Sequence, residues 1–311
     1  MKINKIDLAL QVCHLYYENK VSQVEIAERL SISRPTVSRL IQFAHDQGLV
    51  KVTIINPTDK IEVLETQLEQ KFKLKKAIVV YSPTDDANNL YTKLGRATAN
   101  YLDDIVKDGD KIGVSWGKTI EAVADELHET KKKNLSVVQL KGSLSFNDFN
   151  TFSNEITQKF GDAFHTQSIS IPLPVIFDNA ITKEIVLQDR FLKNILTQAQ
   201  ETNIALYTVG TTRDDALLFN LDYFSPQEIK LIQEKAVGDI LSRFINQDGH
   251  VAIPEINNRT NGLEIERLKE KAYSILVAGG LRKFEAIQAA LKGEYANIFV
   301  TDNQTAANLL K

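Results

Sequence analysis

From residue 77 to the C-terminus, the sequence alternates short apolar runs with longer amphipathic stretches. A parallel β-sheet requires this alternation, because a crossover helix must return the chain to the same edge before each new strand. The pattern predicts strands at residues 77–81, 111–114, 136–140, 204–209, 274–277 and 297–301. It predicts helices at residues 88–105, 119–129, 154–160, 189–202, 226–235, 284–291 and 305–310. The larger part of the chain is therefore predicted to be of the α/β class.

The first fifty residues have a helical periodicity instead. Ser22 with Glu25 forms a capping-box pattern that predicts the start of one helix. Pro35 suits the first turn of the next helix, and Gly48 ends it. An earlier helix is indicated by apolar residues at helical spacing, namely Ile6, Leu10, Cys13 and Tyr17. The β-rich run at residues 50–55 then predicts a strand, which serves as a wing or as the exit from this region.

Residues 22–41 have the spacing of a helix-turn-helix, in which two short helices cross around a small core. Ala27 lies where the helices approach most closely, so that a larger side chain would push them apart. Many such motifs have glycine at the turn, whereas this chain has Ser31. The small core is predicted to consist of Ile26, Leu30, Ile32, Val37 and Leu40.

The exposed positions of this motif carry polar side chains suited to the major groove of double-stranded operator DNA. Arginine can donate two hydrogen bonds to guanine, glutamine can pair with adenine, and hydroxyls reach phosphates or bases. The alternative is a plain three-helix domain with a solvated polar face, and the run of matching positions favours DNA binding. Lys51 is either a phosphate contact or a solvated lysine. Candidate DNA-binding residues are Ser22, Gln23, Ser33, Arg34, Pro35, Thr36, Ser38, Arg39 and Gln42.

Composition limits the class of protein. Of the 311 residues, 43% are hydrophobic and 25% are charged, as in soluble globular proteins. The net charge of −3 argues against a protein that coats nucleic acid, and the slight excess of cations in residues 1–55 only permits DNA binding. No apolar run approaches a membrane span, and the single cysteine, Cys13, suits a buried thiol. We therefore expect a cytoplasmic protein with no membrane partner.

Together these patterns predict three parts. Residues 1–56 form a helix-turn-helix DNA-binding domain of winged-helix-like character, and residues 57–76 form a linker helix with Ile61, Leu64, Leu68 and Phe72 on one face. Residues 77–311 form the α/β domain.

Three turns of the α/β part place a strand end, a glycine- or hydroxyl-rich segment and a helix start in succession. Such turns present backbone N–H groups and the positive end of a helix, which together bind phosphate. In an open α/β sheet they lie at the carboxyl ends of the strands, where ligands collect. The candidate residues in these turns are Ser115, Gly117, Lys118, Thr119, Gly210, Thr211, Gly279, Gly280 and Lys283.

The first of these turns also matches G-x-S-x-G, the nucleophile elbow of α/β-hydrolases. A hydrolase would need Ser115 to pair with a downstream histidine such as His250, which follows Asp248. The Lys-Thr pair after the motif favours an anion cradle instead.

Lys141 directly follows the predicted strand at residues 136–140 and is itself followed by Gly142 and Ser143. A lysine at this edge of the sheet points towards the ligand crevice, and burial there would lower its pKa and leave a neutral amine. Such an amine can form a Schiff base with a sugar aldehyde, although an ion-paired or solvated lysine is the simpler alternative.

Asp239, inside an apolar stretch, is either a buried hydrogen-bond partner or a ligand for sugar hydroxyls. Asp178 and, upstream, Gln158 are further candidates for sugar hydroxyls.

Read in order, the helix-turn-helix is followed by GVSWGKT, VVQLKGS, PLPVIFDNA, VGTTRDDALL, AVGDI and ILVAGGLRK. This series resembles the SorC family of sugar-binding transcriptional regulators over essentially the whole chain, and within it the regulators of deoxyribonucleoside catabolism. The family's effector domain is similar in fold to glucosamine-6-phosphate deaminase, ribose-5-phosphate isomerase and CoA-transferase. The resemblance implies a phosphosugar pocket descended from an enzyme site, without surviving catalysis.

The resemblance also implies a ligand and its contacts. The protein would be a repressor of deoxyribonucleoside catabolism genes, with deoxyribose-5-phosphate as its inducer. Lys141 would face C1 of the sugar, which favours the Schiff base, while Asp239 and Asp178 would meet sugar hydroxyls. Lys283 would close the site, with phosphate contacts on Ser115, Gly117, Lys118 and Thr119.

A helix-turn-helix regulator reads paired half-sites, so we expect a homodimer or, as the family favours, a tetramer. We expect no cofactor and no metal site, because the sequence has no cluster of metal ligands. The first alternative is the same architecture with another glycolytic or pentose phosphate as effector. The second is a phosphosugar isomerase-like enzyme or a hydrolase with an added DNA-binding domain.

Overall fold

The computed structural model describes residues 5–50, 57–82, 87–143 and 151–311. The chain divides into two compact units, Met1–Asn56 (the N-terminal unit) and Pro57–Lys311 (the C-terminal unit). The strand predicted at residues 50–55, together with Lys51, lies outside the described residues except for Val50.

The described part of the N-terminal unit consists of helices α1 (Lys5–Cys13), α2 (Gln23–Arg29) and α3 (Arg34–Asp46), with a π-helical turn (His14–Glu18) after α1. Ser22 caps α2, since its hydroxyl accepts a hydrogen bond from the Glu25 N–H at 3.2 Å. In a full capping box, the Glu25 carboxylate would accept a hydrogen bond from the Ser22 N–H. Here the Glu25 carboxylate accepts a hydrogen bond from Arg29 at 2.6 Å instead. Ser31 at the turn has a φ of 52°, the left-handed conformation for which related motifs use glycine.

The core of the N-terminal unit confirms most of the predicted helix-turn-helix contacts. Leu30 and Ile32 are only partly buried and pack at its edge. Cys13 is a free, buried thiol, as expected, and burial raises its pKa. The buried residues are Ala9, Val12, Cys13, Ile26, Ala27, Val37, Leu40, Ile41 and Ala44.

The C-terminal unit is built on a parallel sheet of seven strands in the order β1-β10-β9-β5-β2-β3-β4, and a second, antiparallel sheet has the order β6-β7-β8. The strands are β1 (Lys76–Val80), β2 (Lys111–Val114), β3 (Ser136–Gln139), β4 (Ser168–Ile169), β5 (Ile204–Tyr207), β6 (Val209–Gly210), β7 (Gly238–Ile240), β8 (Arg243–Ile245), β9 (Tyr273–Val277) and β10 (Ile298–Asp302). The helices are α4 (Pro57–Phe72), α5 (Ala87–Ile105), α6 (Lys118–Asp125), α7 (Ser153–Ala163), α8 (Ala180–Val186), α9 (Arg190–Gln200), α10 (Pro226–Lys235), α11 (Pro254–Arg259), α12 (Phe284–Lys292) and α13 (Asn303–Leu309). Short 3-10 turns occupy Leu217–Leu221, Ile265–Glu270 and Leu281–Lys283.

The prediction of a parallel α/β sheet is confirmed, and the second sheet was missed. The run predicted as one strand at residues 204–209 is split, because β5 belongs to the large sheet and β6 to the small one. Strands of two or three residues are too short to produce an alternating pattern, so β6, β7 and β8 leave no clear signal in the sequence.

The helix predicted as a linker is an integral part of the C-terminal unit. Leu68 of α4 is fully buried in the core on one face of the large sheet. The carboxylates of Glu65 and Glu69 accept hydrogen bonds from the backbone N–H groups of Val79 and Ala77, both at 2.9 Å. These bonds occupy an otherwise open edge of β1, so α4 covers that edge of the sheet.

Candidate functional site

A cavity of about 820 Å³ opens at the carboxyl ends of the parallel strands of the C-terminal unit. Strand ends and the turns that follow them converge there, as the sequence predicts for an open α/β sheet. Predicted ligand residues that line it are Gly117, Lys118, Thr119, Lys141, Gly210, Thr211, Asp239, Gly279, Gly280 and Lys283.

Ser115, Gly142 and Ser143 are not among the residues that line the cavity. Ser115 is 3% exposed, and its Oγ has no hydrogen-bond partner among the described residues. The carbonyl of Gly142 accepts a hydrogen bond from Trp116 Nε1 at 2.9 Å, and the N–H of Ser143 donates to Leu173 O at 3.0 Å. Gly142 therefore supports Trp116, a residue of the cavity wall.

Asp178 and Gln158 are exposed and do not line the cavity. Asp178 precedes Asn179, whose side chain caps α8 by accepting from the Thr182 N–H at 2.8 Å. The predicted role of Asp178 in sugar binding therefore has no support from its position.

The turn at the start of α6 has the geometry of an anion cradle. Gly117 caps the helix with a φ of 122°, a conformation that residues with a side chain rarely adopt. The first N–H groups of the helix have no intrahelical acceptor, and the helix dipole makes this end positive. Lys283 donates hydrogen bonds to the hydroxyls of Thr119 and Thr208, both at 3.3 Å. An ammonium group and a helix N-terminus thus meet at one point of the cavity wall.

The Gly279–Gly280 turn is held by the side chain of Asp302 at the end of β10. The carboxylate accepts a hydrogen bond from the Gly280 N–H at 2.8 Å and caps α13 through the N–H of Thr305 at 2.8 Å. A Cβ on Gly279 would lie 2.6 Å from Asp302 Oδ2, so this turn needs glycine for the close approach.

Lys141 is a buried lysine, 5% exposed, whose ammonium group lines the cavity. Nζ donates a hydrogen bond to Ser242 Oγ at 3.0 Å and lies 3.6 Å from the centroid of the Trp116 ring. Burial lowers the pKa of Lys141 to about 8, partly offset by the negative charge of Asp239. A nucleophilic amine is therefore available near neutral pH.

Asp239 lies opposite Gly210 in the ladder between β7 and β6. A Cβ on Gly210 would fall 1.9 Å from Asp239 Oδ1, so the carboxylate occupies the space that a side chain would take. Burial raises the pKa of Asp239, against the opposing effects of Lys141, the Ser242 N–H and Lys283. Burial also lowers the pKa of Lys283 to about 8, offset in part by Asp239.

The sequence missed three residues of the site. Trp116 forms a face for the Lys141 amine, Thr208 accepts from Lys283, and Ser242 accepts from Lys141. Trp116 could have been found, because it stands inside the Gly-rich turn. Ser242 gave no signal, because the small sheet that brings it to Lys141 was not predicted.

The predicted DNA-binding residues are grouped on α2, α3 and the turn between them. Ser33 caps α3, since its hydroxyl accepts from the Thr36 N–H at 3.4 Å. Gln42 donates to Asp46 at 2.8 Å. Gln23 and Thr36 are half-buried, and the exposed residues are Ser22, Ser33, Arg34, Pro35, Ser38, Arg39 and Gln42. The exposed face of α3, here called the recognition helix, is therefore polar.

Within the described ranges, no group of three or more His, Cys, Asp or Glu side chains has the arrangement of a metal site. In the same part of the chain, no helix combines the length and apolar character needed to cross a bilayer.

A helix-turn-helix unit and an α/β unit with an anion cradle define a ligand-responsive DNA-binding protein. Residues 57–311 match the family described as "Putative sugar-binding domain", and residues 14–60 match the MarR family. The deoxyribonucleoside regulator of Bacillus subtilis (strain 168) is 45% identical over 310 residues, which cover 100% of this chain and 99% of that protein. The crystal structure of the full-length sorbitol operon regulator SorC from Klebsiella pneumoniae has a TM-score of 0.75 at 28% identity and covers 98% of this chain and 99% of that one. The chain belongs to the SorC family of sugar-binding transcriptional regulators.

The protein is thus a sugar-responsive transcriptional regulator, and its relatives are regulators, not enzymes. Ser115 Oγ, which the hydrolase alternative would pair with a histidine, forms no hydrogen bond within the described part of the chain.

Proposed function

We propose that the chain represses genes of deoxyribonucleoside catabolism and that deoxyribose-5-phosphate, bound in the cavity, relieves the repression. The observation that carries the proposal is the buried amine of Lys141, which lines the same cavity as the anion cradle of Gly117 and Thr119. The gene class is supported by the 45% identity to the Bacillus subtilis deoxyribonucleoside regulator.

In this proposal the phosphate binds at the start of α6. The free N–H groups of the first helical turn and the helix dipole favour an anion there. Lys283, hydrogen-bonded to Thr119, supplies a positive charge from one side, and the exposed Lys118 adds a second. A phosphate would also favour the charged form of Lys283, whose pKa burial lowers to about 8. Phosphate binding would therefore offset the free-energy cost of burying the positive charge of Lys283.

The sugar aldehyde is the proposed partner of Lys141. With a pKa of about 8, about one tenth of the Lys141 amine is neutral at pH 7, against roughly one part in three thousand for an ordinary lysine. The neutral amine attacks C1 of the open-chain aldose, and loss of water leaves a Schiff base. A ligand without a free carbonyl group cannot react in this way, and an aldehyde reacts more readily than a ketone, so the reaction favours aldose phosphates.

The positions of the other predicted contact residues change the roles that we propose for them. Asp239, with Gly210 and Thr211, is proposed to meet the sugar hydroxyls, because all three line the cavity. The unpaired Ser115 hydroxyl is proposed to reach the ligand through a small shift of the turn that follows it. Gly142 acts as support for Trp116, and Ser143 and Asp178 are left out of the site.

On DNA, the recognition helix is proposed to enter the major groove with Arg34, Arg39 and Gln42 near the bases. Paired half-sites require a homodimer or a tetramer. Deoxyribose-5-phosphate acts by binding more tightly to the arrangement that has the lower operator affinity.

Gel shifts with operator DNA test the effector. Deoxyribose-5-phosphate should release the wild-type protein, whereas 2-deoxyribitol-5-phosphate, which has no aldehyde, and other pentose or glycolytic phosphates should release it weakly. An operator affinity that saturating deoxyribose-5-phosphate leaves unchanged would falsify the assignment. Release by another sugar phosphate alone would reassign the effector and keep the architecture.

Mass spectrometry after borohydride reduction tests the covalent step. Wild-type protein treated with deoxyribose-5-phosphate should carry one adduct, located on Lys141. Lys141→Met should remove that adduct, and Lys193→Met, a change at an exposed lysine of α9 that does not line the cavity, should keep it. An adduct that persists in Lys141→Met would assign the reaction to another amine.

A further inference from the structure

The turn between β7 and β8 has an unusual backbone for its residue types. Leu241 and Ser242 have φ values of 51° and 66°, and both are buried, at 1% and 0% exposed. This left-handed region costs free energy for residues with a side chain, so two such residues in succession persist only where the surroundings fix them. Outliers of this kind cluster at functional sites.

The next residue fixes the turn in place. Arg243 is 1% exposed and donates hydrogen bonds to the carbonyls of Leu263 and Gly262, at 3.1 and 3.3 Å, and to the carboxylate of Glu264 at 2.7 Å. Gly262 in turn forms a β-bridge with Lys141. The same buried guanidinium therefore anchors both the turn and the segment that pairs with Lys141.

The anchored turn joins an acid and an amine from two different elements. The backbone N–H of Ser242 donates to Asp239 Oδ2 at 2.8 Å, and Ser242 Oγ accepts from Lys141 Nζ at 3.0 Å. Both connections depend on the backbone conformation of this one residue. Ser242 thus sets the position of the Lys141 amine relative to the Asp239 carboxyl.

Asp239 and Lys141 each shift the pKa of the other, although no direct ion pair joins their charged groups within the described residues. In the described chain, no ion pair within 4.0 Å joins Asp239 to Lys141 or to Lys283, although each lysine lowers the pKa of the carboxyl. Burial drives both groups towards neutrality, since it lowers the pKa of Lys141 and raises that of Asp239. Burial therefore favours the neutral amine of Lys141 and the protonated carboxyl group of Asp239, and both side chains line the same cavity.

We infer that Lys141, Asp239 and Ser242 form a unit that catalyses the capture of aldose phosphates, so that the regulator accelerates its own covalent modification. This inference rests on the proposed Schiff base and adds a catalytic acid and a positioning residue. The Lys141 amine adds to C1 and its proton passes to the former carbonyl oxygen, which gives a carbinolamine. Asp239 then donates its proton to the carbinolamine hydroxyl, the C–O bond breaks and water leaves. The products are an iminium on Lys141 and a carboxylate on Asp239, which stabilise each other.

The rate of adduct formation tests the inference. Wild-type protein is mixed with deoxyribose-5-phosphate, samples are quenched with borohydride over time, and the adduct is counted by mass spectrometry. Asp239→Asn keeps an acceptor for the Ser242 N–H and loses the acid, so the rate should fall by about 100-fold. Asp162→Asn, an exposed aspartate of α7 outside the cavity, is the matched control and should react at the wild-type rate.

Two further measurements distinguish a catalytic role of Asp239 and a positioning role of Ser242 from a purely structural effect of each substitution. In Asp239→Ala, added formate should restore much of the lost rate, because a small acid can enter the space left by the carboxyl group. In Ser242→Ala, the Lys141 ammonium loses a hydrogen-bond acceptor, so the midpoint of the pH–rate profile should move to lower pH and the plateau rate should fall. Binding of 2-deoxyribitol-5-phosphate, which needs no imine, checks that each variant retains the cavity.

The outcomes are distinct. An adduct that forms at the wild-type rate in Asp239→Asn overturns the inference and leaves the Schiff base intact. A slow rate without formate rescue, in a variant that still binds the reduced sugar phosphate, overturns the acid role of Asp239. Absence of any adduct in the wild type overturns the proposed Schiff base and this inference with it.

Discussion

The two units place their functional side chains in opposite environments. In the N-terminal unit, most of the candidate DNA contacts are exposed, and Arg39 and Gln42 form hydrogen bonds within their own helix. In the C-terminal unit, Lys141 and Asp239 are each 5% exposed. Exposed polar groups cost the fold little, whereas buried charges and left-handed turns oppose folding. Changes at exposed, uncapped positions of the recognition helix should therefore affect binding with little change in stability, while changes in the cavity should affect binding and stability together.

The difference follows from what each partner supplies. DNA brings its own phosphates to a surface that stays hydrated, so the protein needs no charge poised in advance. A small sugar phosphate must be enclosed, and enclosure requires groups such as Lys141 and Lys283 that are already desolvated. In the proposed function, binding of the ligand would offset part of the free-energy cost of these desolvated groups.

The largest expected effect is on stability, at Lys141. The folded pKa of about 8 lies below the unfolded value near 10.5, so the unfolded chain binds more protons between these pH values. The penalty is therefore complete below pH 8 and disappears as the pH rises towards 10.5. Lys141→Met should raise the free energy of unfolding at pH 7 by about 3 kcal/mol, and this gain should shrink by pH 10.

Urea unfolding of the two proteins at pH 7, 8, 9 and 10 measures that difference directly. Lys193→Met serves as the control, because it removes an exposed lysine and should change stability by less than about 0.5 kcal/mol at every pH. A difference that stays constant with pH would show that Lys141 carries no such penalty, and the contrast between the units would weaken.

Gly210→Ala should have the next largest effect. The added Cβ would fall 1.9 Å from Asp239 Oδ1, so either the carboxyl group or the small sheet must move. We expect a loss of about 2 kcal/mol in unfolding free energy and a clear loss of effector affinity. Operator binding in the absence of effector should remain at the wild-type level. Thermal unfolding measures the change in stability, and isothermal titration calorimetry measures the change in effector affinity. A variant that is as stable as the wild type and still binds effector would contradict the packing argument.

Sequence patterns predicted features that depend on local spacing. Core strands such as β2 and helices such as α10 were placed with their observed bounds, because apolar periodicity and caps are local. Gly117 and Lys141, which both line the cavity, were singled out for the same reason, because both follow predicted strands.

The rest of the site depends on contacts between distant segments. Ser242 meets Lys141 across 101 positions of the sequence, through a sheet whose strands are two or three residues long. Asp178 was assigned to the sugar on its neighbourhood in the sequence, yet its loop directs Asn179 to cap α8 and leaves Asp178 exposed. Local spacing cannot reveal either arrangement.

A smaller effect is expected at Arg34, and on binding only. Arg34 is exposed at the start of the recognition helix, so Arg34→Ala should leave the stability within about 0.5 kcal/mol of the wild type. Loss of a base or phosphate contact should lower operator affinity by about tenfold, or roughly 1.4 kcal/mol. Effector binding should be unchanged. Fluorescence anisotropy with labelled operator measures the effect, with Arg267→Ala, an exposed arginine of the C-terminal unit, as control.

The smallest effect tests whether the recognition helix itself is pre-formed. Ser33 accepts a hydrogen bond from the Thr36 N–H and pairs with the Thr36 hydroxyl at 2.8 Å, so Ser33→Ala should cost about 1 kcal/mol at the start of α3. Native-state hydrogen exchange should show this loss in the first turns of α3, while the amides of the C-terminal unit remain unchanged. Ser38→Ala, an exposed change inside the same helix, should not increase exchange, because alanine is a better helix former. Equal exchange in the two variants would mean that the cap adds nothing, and that the N-terminal unit depends on its buried core alone.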